Sequence, residues 1–160
     1  MQREGYQLDA SRCISYLTIE HRGPIRPEVH AAMGDWVAGC DVCQEVCPHN
    51  RETTTASRLR LRETDQPPHG SALDLLDVLG WNEDDRRQYF RGSALKRIKV
   101  DMLKRNALIA AGNHLRQHNA PPLRQRIAQL ADDPHESELV RLTAQQVLRS
   151  LPDAVRSADL

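Results

Sequence analysis

Aromatic residues are scarce in this 160-residue chain: Tyr6, Tyr16, Trp36, Trp81, Tyr89 and Phe90 are the whole set. The core must come mainly from Leu, Ile, Val and Ala, and on so short a chain it is modest. A metal or covalent staple would help the first third hold together. Net charge is absent as well. Twenty-two Lys and Arg balance 22 Asp and Glu, which excludes a global field as the guide to a partner. No run approaches the roughly 20 apolar residues that cross a bilayer, so no membrane partner is expected. The opening residues, MQREGYQLDA, lack the apolar stretch of a signal peptide. The expected compartment is the cytoplasm, where thiols stay reduced.

Cysteine is missing after residue 47. All four, Cys13, Cys40, Cys43 and Cys47, lie in a first third punctuated by Gly23, Pro24, Pro27, Gly34, Gly39 and Pro48. Such a segment should be rich in turns, with short helices at best. The spacing Cys40-x2-Cys43-x3-Cys47-Pro48 lets a loop wrap an inorganic cluster, and the proline matches the end of the bacterial ferredoxin run. Soft, anionic thiolates suit iron–sulfur clusters. In two-cluster ferredoxins the last cysteine of the run ligates the other cluster. A four-cysteine zinc site normally pairs C-x2-C with a second such pair or with histidines; here the partner is a lone Cys13. Zinc is the alternative, and a disulfide in a reducing compartment a weaker one. The spacing favours iron–sulfur.

The rest of the chain reads as mostly α. HNRETTTASRLRLRETDQPPHG is polar and unperiodic, a linker or surface connection. Ser71 is a candidate N-cap for the apolar run that closes at Gly80, and Asn82 for EDDRRQYF, with Gly92 able to end that helix in the left-handed conformation. VDMLKRNALIAAGNHLRQ is the longest helical pattern. Val100, Leu103, Ala107, Ala111 and Leu115 share one face and Met102 and Ile109 the opposite one, as in a helix sandwiched between neighbours. Two further stripes follow, Leu123, Ile127, Leu130 and Ala131, then Val140, Ala144, Val147, Leu148 and Leu151. Short helices joined by Pro- and Asp-marked turns suggest stacked pairs of the HEAT type. The expected order is a ferredoxin-like iron–sulfur segment over 1–62, a linker over 63–70 and HEAT-like helical repeats over 71–160.

One local charge imbalance stands out. Arg86, Arg87, Arg91, Lys96, Arg97, Lys99, Lys104 and Arg105 face only one acid, Asp101, within twenty residues. Such a patch is the footprint of a phosphate backbone, though a solvated helix face gives the same pattern. With few aromatics beside it, contact through shape and phosphate suits it better than base stacking. Other features read more plainly. His114 and His118 lack a third ligand, His49 follows Cys47-Pro48 and could touch a cluster sulfur or RNA or do neither, and Glu83, Asp84 and Asp85 are helix-start acids. Asn106 and Asn113 are packing or turn residues.

The stretches LDASRCISYLTIEHRGPI and MGDWVAGCDVCQEVCPHN resemble the iron–sulfur segment of the epoxyqueuosine reductases. GSALKRIKVDMLKRNALIAAGN is similar to that family's C-terminal, HEAT-like helical segment. The resemblance implies reduction of the epoxide of epoxyqueuosine in tRNA to queuosine, with cobalamin and two [4Fe–4S] clusters. It implies that Cys13, Cys40 and Cys43 share one cluster with a cysteine upstream, while Cys47 reaches the other. The family's first cysteine run and its cobalamin-binding domain have no counterpart in these residues. The expectation is therefore a C-terminal portion of the reductase, monomeric, holding tRNA, inactive alone and with no catalytic residue of its own. The residues do not specify the electron donor. A non-catalytic iron–sulfur module that binds RNA or passes electrons is the alternative, and a zinc-bound protein-contact module a third reading.

Overall fold

A computed structural model describes residues 9–50 and 73–152. Helices build it: α1 (Ile14–Ile19), α2 (His30–Met33), α3 (Val42–Glu45), α4 (Leu75–Gly80), α5 (Glu83–Tyr89), α6 (Val100–Leu115), α7 (Pro121–Asp132) and α8 (Glu138–Ser150), with short 3-10 turns between some of them. Among the described residues there is no strand, and no helix is long and apolar enough to cross a membrane. The expected linker over 63–70 and the boundary at residue 62 lie outside the described residues.

Local chemistry sets most helix ends. Asn82 and Asp85 form a reciprocal capping box at α5, with Glu83, Asp84 and Asp85 in the first turn, where the helix dipole favours negative charge. Gly92 has φ +79 in the turn that follows, a conformation that costs glycine little. Ser137 caps α8, its Oγ accepting from the Val140 amide. At α4 the expectation needs correction. The helix starts at Leu75 and its cap is Asp74, whose Oδ1 accepts from the amides of Leu76 and Asp77; Ser71 lies outside the described residues.

Helix α6 is the axis of the molecule. From Met102 to Gly112 every residue is buried. One side packs into the main core with Val78, Leu79, Ile127, Leu130, Val140, Ala144 and Val147. At Gly112 a methyl group would stand 2.7 Å from Val147 Cγ1 of α8, so a side chain there would force Val147 to shift. On the other side, Ile109 joins Leu17, Ile25 and Met33 in a second apolar cluster. The two-faced pattern of α6 thus has a concrete meaning. One face meets the other helices and the opposite face meets the cysteine-bearing segment.

Trp81, Tyr89 and Phe90 form a ring cluster under the α5 turn, with centroids 4.9 to 6.1 Å apart. Tilted and edge-on geometries of this kind add to burial alone. Three of the chain's six aromatics are thereby committed to packing at one corner.

Candidate metal centre

All four cysteines are free thiols; Cys13 and Cys43 are exposed, while Cys40 and Cys47 are half-buried. Cys13 is the N-cap residue of α1, its carbonyl accepting from the Leu17 amide at 2.9 Å. Cys43 sits on the single turn of α3, which buries none of its side chains. Two amides, those of Gln44 and Glu45, close that turn onto the Asp41 carbonyl. Beyond it, Cys47 leads into a 3-10 turn at Pro48–Asn50, with the Asn50 amide bonded to the Cys47 carbonyl at 3.0 Å. Val42 and Val46 remain 45% and 65% exposed. The loop carrying Cys43 thus has no core of its own.

Among the described residues no three His, Cys, Asp or Glu side chains converge as they would on a single metal ion. Four accessible thiols, three of them within eight residues, are the donor chemistry that iron–sulfur clusters use. In kind, the donor set fits a cluster.

What holds the cysteine segment is polar and comes from α6. Arg105 is fully buried, and all five of its N–H donors are used. Nη1 donates to the carbonyls of His21 and Gly23 at 2.6 Å each, and Nη2 to the Leu17 carbonyl at 2.7 Å. Nη2 and Nε also donate to Asn106 Oδ1 at 2.8 and 3.0 Å. The amide nitrogen of Asn106 then donates to the carbonyls of Thr18 and Val37. Two turns further, Asn113 donates to the carbonyls of His30 and Gly34. Burial pulls the Arg105 guanidinium down to about 10, with Asp101 opposing the shift, so it stays charged at neutral pH. His30 donates from Nε2 to the Ile25 carbonyl at 3.0 Å, and burial pushes its pKa down, which keeps it neutral there.

A model of the "4Fe-4S double cluster binding domain" matches residues 1–50. An epoxyqueuosine reductase of Synechococcus sp. is 42% identical over 111 residues, covering 68% of this chain and 33% of the relative. That of Alicycliphilus denitrificans is 37% identical over 140 residues, or 85% and 38% of the two chains. The Escherichia coli enzyme is 41% identical over 112 residues, 69% and 28%. The chain is related to the epoxyqueuosine reductases. It spans about a third of the length of these curated relatives. A solved epoxyqueuosine reductase from Bacillus subtilis shares the fold, with a TM-score of 0.63 at 23% identity over 88% of this chain and 37% of that one.

Against this relationship to the epoxyqueuosine reductases, the basic stretch must be divided. Three of the eight cations expected to face RNA are internal. Arg105 forms the clamp just described. Lys104 is buried and paired with Glu136. Arg86 is buried, paired with Glu83 at 2.5 Å and bonded to the carbonyls of Lys96 and Ile98. These three are structural, because their donors are already committed inside the fold. Arg87, Arg91, Lys96, Arg97 and Lys99 are exposed. Of these, Arg87 pairs with Glu83 and Asp84, and Arg97 with Glu20 at 2.9 Å.

Sequence patterning put Asn106 and Asn113 among packing residues but did not single out Arg105 from the basic run. The signal was nevertheless present. Met102, Arg105, Asn106, Ile109 and Asn113 share one helical face, so the polar residues interleave with the face already read as buried.

Replacing Arg105 with Met should strand four acceptors in the interior and cost roughly 3–5 kcal/mol, in the range for breaking a buried charged network. Urea unfolding should show the loss. Arg105→Lys should fall nearer to Arg105→Met than to wild type, because an ammonium cannot reproduce the five-donor fork. A wild-type midpoint for Arg105→Met would contradict the clamp.

Proposed function

We propose that this chain supplies the iron–sulfur and helical portion of an epoxyqueuosine reductase, which reduces the epoxide of epoxyqueuosine in tRNA to queuosine. One observation carries the reading: residues 1–50 match a double-cluster model in a chain whose similarity to these reductases extends over 140 residues. In this reading Cys13, Cys40 and Cys43 hold one [4Fe–4S] cluster with a fourth thiolate from outside this set, and Cys47 ligates a second. Bound clusters would supply one-electron transfer, with cobalamin as the partner cofactor. The chain's own part is to present the thiolates on a segment anchored by α6, and to bind RNA. By itself the 160-residue chain is expected to be monomeric and cytoplasmic and to leave the epoxide intact.

Helices α4–α8 are read as HEAT-like pairs that present the turn between α5 and α6 to tRNA. The exposed Arg87, Arg91, Lys96, Arg97 and Lys99 suit phosphates, and folded RNA is recognised largely by shape and backbone. Arg91, Lys96 and Lys99 are the best candidates, since the other two cations already face carboxylates.

Anaerobic purification followed by iron, sulfide and zinc analysis, with EPR of the reduced sample, tests the cysteine assignment. Iron and sulfide with a cluster signal are expected; zinc in their place would contradict it.

Changing Arg91, Lys96 and Lys99 together to Ala should weaken tRNA binding and flatten its dependence on log salt by up to about 3, one for each phosphate no longer neutralised. An unchanged affinity and slope would remove this turn from the interface.

A further inference from the structure

The α6 clamp does not touch a cysteine directly, yet one side chain links it to Cys40. Thr18 is fully buried on α1. Its carbonyl accepts from Asn106 Nδ2 at 2.9 Å. Its hydroxyl donates to the Ile14 carbonyl at 2.8 Å, with a longer contact to the Ser15 carbonyl at 3.3 Å. With its proton directed back along α1, the hydroxyl oxygen is free to accept, and it does so from the Gly39 amide at 3.0 Å. That bond crosses 21 residues and lands on the residue immediately before Cys40.

Gly39 is shaped for this contact. Its φ of +86 lies in the left-handed region, where a side chain would be strained. Val37, two residues earlier, is held through its carbonyl by the same Asn106 amide that holds Thr18. The backbone approaching Cys40 is thus fixed at two points, Val37 and Gly39, both referred to α1 and α6. Cys13 caps the start of α1, and Thr18 lies near its end. A single short helix therefore carries one thiol at its start and, through a hydroxyl, sets the approach to another.

We propose that Thr18 is a positioning residue for the metal centre: its hydroxyl fixes Cys40 relative to Cys13, and so sets the geometry in which these two thiolates share a cluster. The proposal rests on the reading of both cysteines as ligands of one cluster. Cys43 and Cys47 lie beyond the reach of this linkage, on a loop that buries no side chain of α3. The restraint therefore acts on one half of the ligand set. The other half is left to adapt to the cluster.

The test compares wild type, Thr18→Val and Thr18→Ser in the full chain, each reconstituted anaerobically with iron and sulfide. Valine keeps the shape and deletes the acceptor; serine keeps the acceptor. Two quantities are read: hydrogen exchange of the Gly39 amide in metal-free protein, and the EPR line shape and midpoint potential of the loaded fraction. Thr18→Val should speed Gly39 exchange at least ~10-fold, the effect of losing about 1.4 kcal/mol of protection, and shift the EPR signal and the midpoint, while Thr18→Ser keeps wild-type values. Measuring only loaded protein separates geometry from any simple loss of stability. Unchanged Gly39 exchange in Thr18→Val would overturn the hydrogen bond. Faster exchange with an unaltered signal and midpoint would overturn the positioning role and leave the cluster reading intact. Wild type that assembles no iron–sulfur cluster would overturn that reading, and the proposal with it.

Discussion

A buried guanidinium with no carboxylate in contact is the constraint on which the structure turns. Arg105 meets only carbonyls and one amide oxygen: those of Leu17, His21 and Gly23, and that of Asn106. Such a charge is tolerated inside a protein only when every donor is satisfied. This requirement forces the backbone of 17–23 to curl around the side chain. The residues that follow α1 are therefore ordered by a group more than eighty positions away. Asn106 and Asn113 extend the same logic to Thr18, Val37, His30 and Gly34.

The arrangement suits a segment with little apolar material. Between residues 9 and 50 the buried hydrophobic side chains are Leu17, Ile25, Met33 and Val37. Burial of a large aliphatic side chain contributes roughly 1.5–3 kcal/mol, and ordering each backbone residue costs about 1–2 kcal/mol. Four such side chains cannot order a segment of about forty residues. Hydrogen bonds from α6 hold the first part, and the loop around Cys43 is left with neither core nor clamp. A cluster ligated by those thiolates would be the missing organiser of that loop, since metal binding and folding are one free energy in such sites. On the proposed reading, protein chemistry would fix Cys13 and Cys40, and metal chemistry would gather Cys43 and Cys47.

Periodicity and capping made the helices readable before any coordinates. The N-cap at Asn82, the stripe through Leu123, Ile127, Leu130 and Ala131, and the two apolar faces of α6 all depend on neighbours within a turn or two of each other. The cysteine spacing is local in the same way, and the match of residues 1–50 to a double-cluster model agrees with it. Charge was not. Counting cations between 86 and 105 treats each one as solvated, whereas Arg86, Lys104 and Arg105 find acceptors that are distant in sequence or face inward. Arg105 differs from Lys96 chiefly in the surroundings that the fold brings to it. Ser71 and Asp74 illustrate a smaller version of this problem. Both can cap, and only the helix start at Leu75 selects Asp74.

The claim that most needs testing is that the cysteine segment and the helices form one cooperative unit through α6. Native-state hydrogen exchange on the metal-free chain addresses it directly, because opening free energies report which regions unfold together. If the clamp governs, the amides of α1 and of α6 open with the same free energy and the same denaturant dependence, while those of α3 exchange freely. Protection of α1 that is lost at low denaturant, with α6 still closed, would contradict the account.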